Sequence, residues 1–68
     1  MNDPMSVGGE LCRRRCAAGW SQRDVARRLG VNQTTVSAWE TGRRAIPAHQ
    51  ATAYAALLDE IEAGDGAA

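Results

Sequence analysis

The side chains best suited to direct chemistry lie in the stretch LGVNQTTVSAWETG, residues 29 to 42. Gln33, Thr34, Ser37 and Ala38 sit at i, i+1, i+4 and i+5, so a helix of about 3.6 residues per turn places them on one side. None of the four is charged, whereas Arg27, Arg28, Arg43 and Arg44 flank them. A merely solvated helix face is usually built from Glu and Lys instead. Short hydrogen-bonding groups of this kind match the edges of DNA bases. Gln can pair with adenine N6 and N7, Thr and Ser can donate or accept, and Ala38 or a Thr methyl can meet a thymine methyl. Composition alone would make them ordinary exposed polar residues, so the elements around them must decide.

Other chemistry finds little support. There is no Ser/His/Asp set, no glycine-rich phosphate loop after a strand, and no pair of acids outside the acidic tail, so no enzyme is expected. Cys12 and Cys16, at i and i+4, are read as reduced thiols on the buried side of the first helix. Zinc would need four ligands, and His49 is the one other soft candidate, so no metal, cofactor or small-molecule ligand is expected. Three aromatic residues, Trp20, Trp39 and Tyr54, are too few for a platform that stacks single strands. Both tryptophans are placed in or beside the core.

The chain has 68 residues, enough for one small domain with a modest core. It has no apolar run of membrane-spanning length and no basic start leading into an apolar stretch, so a cytoplasmic protein is expected. Its net charge is zero, but the charges are segregated. Residues 1–50 hold all eight Arg against four acids, and residues 51–68 hold Asp59, Glu60, Glu62 and Asp65. Such asymmetry points to a charged partner. The use of Arg without any Lys suits forked contacts to phosphate, although a GC-rich genome explains that choice as well.

Four helices are legible. Residues 1–7 read as a flexible tail. Leu11, Cys12, Arg15, Cys16 and Ala18 mark a first helix over 8–18, ended by Gly19. Ser21 with Asp24 resembles a capping box opening helix two, 21–29, which buries Val25, Ala26 and Leu29 and stops at Gly30. Asn32 is a suitable N-cap for helix three, 33–41, with Val36 and Trp39 inward and Gly42 at its end. After a loop, Pro47 suits the first position of helix four. That helix has an apolar stripe of Ala51, Tyr54, Leu58 and Ile61, with Leu57 at its edge. The domain then spans 8–62, and residues 63–68 form a flexible C-terminal tail. Helix two, the turn at Gly30 and helix three, 21–41, form a helix-turn-helix arrangement whose second helix can enter the major groove.

The stretch WSQRDVARRLGVNQTTVSAWETGRRAIP, residues 20–47, resembles the phage-repressor/Cro (XRE-type) helix-turn-helix family. It carries Ser-Gln opening helix two, then Val-Ala, Leu-Gly-Val, an early Gln in helix three, Val-Ser-x-Trp-Glu-x-Gly, and a Pro soon after. With the flanking helices the resemblance covers 8–62. It implies an all-α, compact four-helix, lambda-repressor-like DNA-binding domain, with a fifth helix in many relatives. It also implies base contacts from Gln33, Thr34, Ser37 and Ala38, a phosphate grip by Gln22, and backbone contacts at Thr41 and Arg43. Arg23, Asn32, Thr35 and Arg44 complete the expected phosphate contacts, Gln22 and Asn32 lying at helix N-termini that attract anions. An ion pair between Arg15 and Glu40 is implied as well.

The expected function is that of a transcriptional regulator, a repressor of phage or bacterial origin, binding a two-fold symmetric operator in double-stranded DNA. A weak homodimer favoured on DNA is expected, with Leu57 and Ile61 as candidate dimer contacts. The alternatives are an excisionase-like or antitoxin-type accessory protein, or a protein-interaction module that kept the fold and uses its acidic last helix.

Overall fold

The structure is a computed structural model that describes the backbone of residues 4–67 and the side chains of 7–64. It holds four helices: α1 (Pro4–Ala17), α2 (Gln22–Leu29), α3 (Gln33–Thr41) and α4 (Ala48–Ala67). No strand occurs among the described residues.

The caps set most of these boundaries. Ser21 Oγ accepts from the Asp24 amide at 3.1 Å while Asp24 Oδ2 accepts from the Ser21 amide at 3.1 Å, so the expected capping box is formed. At the other end of α2, Gly30 adopts φ 72°, a left-handed conformation that a Cβ would strain. The Val31 amide then reaches back to the Ala26 carbonyl at 3.0 Å, and the chain reverses into α3. Asn32 occupies the N-cap position of α3, but its side chain makes no capping bond.

The ends of the chain depart from the sequence reading. α1 begins at Pro4, not at 8, because proline is well placed in a first turn whose amide has no helical partner. Residues 1–3 of the expected tail, and residue 68 of the other, lie outside the described residues. α4 begins one residue after Pro47, whose carbonyl accepts from the Gln50 and Ala51 amides. It continues to Ala67, through most of the segment expected as a tail from 63.

The core is Leu11, Val25, Ala26, Val36, Trp39, Ile46, Tyr54, Leu57 and Leu58. Leu57 is therefore not an edge residue. At 6% exposure it is packed inside, because α4 faces both α1 and α2 and buries a wider stripe than one row. Cys16 is exposed and Cys12 only half-buried, so the thiols do not fill the core as a pair. Ile46, in the loop before α4, closes the core instead. Leu29, Ala51 and Ile61 are partly buried against it, as is Trp20.

One crossing is unusually close. A Cβ on Gly8 would lie 1.9 Å from the Trp39 carbonyl oxygen and 2.7 Å from its carbon. Only a residue without a side chain lets α1 lie against the last turn of α3 at this distance. This packing brings Arg15, about two turns farther along α1, over the same end of α3, where it meets Glu40.

Candidate DNA-binding surface

Beyond the turn at Gly30, the first residues of α3 are accessible. Asn32, Gln33 and Thr34 are exposed, while Thr35, Ser37 and Ala38 are half-buried. Val36 and Trp39, at 0% and 4% exposure, hold the opposite face in the core. The four residues expected to read bases thus share one accessible side of one helix. The Asn32 side chain is exposed and makes no capping bond, so its amide can turn toward a partner outside the protein.

The residues expected to grip phosphates differ in their readiness. Arg23, Arg43 and Arg44 are exposed. Arg27 is exposed too, and the Arg28 guanidinium lies over the Trp20 ring, 5.8 Å from its centroid. Among the described residues none of these five arginines forms an ion pair. Thr41 already donates its hydroxyl proton to the Ser37 carbonyl at 2.9 Å, so it must rotate before it can donate to a phosphate. The Thr35 amide bonds the Asn32 carbonyl at 3.0 Å, inside the first turn of α3.

The remaining three arginines are used within the fold. Arg13 pairs with Glu10 at 3.2 Å across one turn, both side chains exposed. Arg14 spans from α1 to α4, donating to Asp59 at 2.8 Å and to both Glu62 oxygens at 2.9 and 3.1 Å. The carboxylates raise its pKa further above the ordinary guanidinium range. Half of the acidic cluster near the end of the chain is therefore an internal clamp.

Arg15 and Glu40 form the expected ion pair, in a fork: Nε to Oε2 at 2.8 Å and Nη2 to Oε1 at 3.0 Å. Arg15 Nη1 also donates to the Trp20 carbonyl at 2.6 Å. Two further donors reach the same carboxylate. Tyr54 of α4 donates to Oε2 at 2.6 Å, and Gln22 Nε2 of α2 donates to Oε1 at 2.9 Å. Burial pushes the Glu40 carboxyl up, but hydrogen bonds from Arg15, Tyr54 and Gln22 outweigh it and hold the group at about 2. Burial and the adjacent carboxylate push the Tyr54 hydroxyl well above its usual range. No buried side-chain nitrogen or oxygen among the described residues lacks a partner. Sequence reasoning named Arg15 and Glu40 but not Tyr54, nor the bond that ties Gln22 to the pair. The Tyr54 hydroxyl on an otherwise apolar stripe was the available signal, since a buried hydroxyl needs a partner.

Comparison with known families agrees with this geometry. A family model described as Helix-turn-helix matches residues 13–64, well over half of the chain. The chain belongs to the phage-repressor/Cro (XRE-type) helix-turn-helix family. It is accordingly a DNA-binding helix-turn-helix regulator. No curated protein and no solved structure matches it. Among the described residues no group of three or more side chains is placed to hold a metal ion, and no helix is long and apolar enough to cross a membrane.

Proposed function

We propose that this regulator is a sequence-specific repressor that inserts α3 into the major groove of double-stranded DNA. Gln33, Thr34, Ser37 and Ala38 choose the sequence. Gln22, Arg23, Asn32, Thr35, Thr41, Arg43 and Arg44 hold the backbone on either side, with Thr41 turning its hydroxyl outward. The observation that carries this reading is the accessible uncharged face of α3 bordered by arginines that form no ion pair among the described residues.

One helix of this kind reads only a few base pairs, so useful selectivity calls for two copies on half-sites about 34–36 Å apart, or a multiple of that. The homodimer forms on the operator and is weak without it. Leu57 lies in the core and makes no contact with a second copy, which leaves Ile61, partly exposed on α4. The rival reading, docking of a protein through the acidic last helix, loses much of its basis. Asp59 and Glu62 are already bound by Arg14.

The test is selection of duplexes from a random-sequence library, followed by footprinting on the DNA beside the protein's own gene. A two-fold symmetric consensus and a protected site overlapping that gene's promoter are expected. Recovery of no consensus, with binding that ignores sequence, would refute the reading.

A further inference from the structure

The bond between Gln22 and Glu40 joins the beginning of α2 to the end of α3, at 2.9 Å and across eighteen positions of the chain. The two helices are already joined at their other ends by the turn at Gly30. The motif is therefore closed at both ends, by a turn of backbone on one side and by a side-chain bond on the other. We infer that Glu40 is a positioning residue for DNA binding: it orients the Gln22 amide toward the phosphate backbone and fixes its distance from the base-reading face of α3. This deepens the DNA-binding reading above and rests on it.

Three observations carry the inference. A carboxylate only accepts hydrogen bonds, so Gln22 must turn its Nε2 toward Glu40, and this settles which way the amide lies. A phosphate also only accepts, and the second N–H of that same nitrogen remains for it. An amide swung the other way would offer Oε1 and repel the phosphate. Glu40 is itself held on both oxygens, by Arg15 from α1 and Tyr54 from α4, and its side chain is 2% exposed. The donor is thus mounted on a group that cannot drift. Finally, Glu40 and the base-reading residues are parts of one nine-residue helix, α3. A shift of α3 moves the Gln22 amide with it, so the phosphate contact and the base contacts stay in register. A Gln held in place before binding also loses less freedom on binding than one that is loose.

The experiment uses the full chain and the duplex obtained by selection from a random-sequence library, with single phosphates replaced one at a time by neutral methylphosphonates. For the wild type, one replacement at the edge of each half-site should weaken binding by about tenfold, the worth of one hydrogen bond to a charged group. Gln22→Ala should lose sensitivity at that position alone. Glu40→Gln should lose it at the same position, while sensitivity opposite Arg43 and Arg44 persists. Leu58→Val, which loosens the core without touching the carboxylate, should keep the whole wild-type pattern. A folded Glu40→Gln protein that keeps full sensitivity at the Gln22 position would overturn the inference. A Gln22→Ala protein with the wild-type pattern would instead remove the Gln22 phosphate contact, and the inference with it, leaving base reading by α3 intact. Should Glu40→Gln fail to fold, side-chain nitrogen relaxation of the free wild-type protein decides. The Gln22 amide should be as rigid as the backbone, and one as mobile as that of Gln33 would overturn the inference.

Discussion

The close contact at Gly8 yields a prediction of sign. Gly8 and Gly9 are consecutive residues of α1, and in an isolated helix either would gain about 0.5–1 kcal/mol on replacement by alanine. Their surroundings differ. A Cβ on Gly9 meets nothing within 4 Å, so Gly9→Ala should stabilise the fold by that amount. A Cβ on Gly8 would sit 1.9 Å from the Trp39 carbonyl oxygen, about 1.5 Å short of ordinary contact. The obstacle is backbone at the end of α3, and no side-chain rotation clears it. α1 must retreat and open the core around Leu11 and Trp39. Overpacking of this kind costs ~1–3 kcal/mol, and the rigid obstacle places it toward the upper end. Set against the gain in helix propensity, the net loss is ~2 kcal/mol, or a fall in melting temperature of roughly 10 °C for a domain of this size. Thermal and urea denaturation of the two variants beside the wild type check this. A Gly8→Ala protein melting at or above the wild type would refute the close crossing of α1 and α3.

Three further outcomes are expected. Gln33→Ala should weaken binding to the selected site by ~1–3 kcal/mol and relax preference at one base pair, measured by repeating the selection; unchanged preference would show that α3 does not read bases through Gln33. The Glu40 carboxyl is held at about 2 in the fold against an ordinary 4.5, so its contribution is fully present above the ordinary value and disappears as pH falls from there toward 2. Denaturant midpoints should show wild type ahead of Glu40→Gln by roughly 2–3 kcal/mol near neutral pH, and a gap that stayed constant down to the acid limit would contradict the geometry. Leu57→Asp places a carboxylate at a position 6% exposed, so it should unfold the domain and abolish half-site and full-site binding together; near-native melting would mean that Leu57 lies at the surface after all.

What was legible in the sequence follows from how local each signal is. The start of α2 and the end of α3 rest on residues within one turn, Ser21 with Asp24 and Gly42 with Ala38 and Trp39. These are features that adjacent residues decide. The Arg15–Glu40 pair came from the family resemblance. Nothing local in residues 15 and 40 demands it. Leu57 was misplaced because a single stripe at helical spacing does not reveal that α4 packs against two neighbours. The start of α1 was missed because Met5 to Gly9 offers no clear amphipathic pattern. The Gly8 crossing, the Arg14 clamp and the Gln22 link depend on how helices cross, and no spacing within a helix encodes that.

The charge balance shows the same dependence on the fold, and it has a measurable consequence. A chain with a net charge of zero would be expected to bind DNA with little salt dependence. The structure shows why counting charges misleads here. Glu10, Glu40, Asp59 and Glu62 are engaged by Arg13, Arg15 and Arg14, while Asp24, in the cap of α2, keeps its charge near Arg23 and Arg27. Arg23, Arg27, Arg28, Arg43 and Arg44 are left on α2 and just after α3. If Arg23, Arg43 and Arg44 each neutralise one phosphate, the logarithm of affinity should fall with the logarithm of salt at a slope of about −2.7 per bound copy, near −0.9 for each contact. Arg43→Ala should reduce that slope by about one unit and weaken all sequences alike. Arg14→Gln should leave the slope where it is, because Arg14 already spends its charge on α4. A slope near zero for the wild type, or a change on Arg14→Gln as large as that on Arg43→Ala, would mean that the arginines facing DNA are not the ones the fold leaves unpaired.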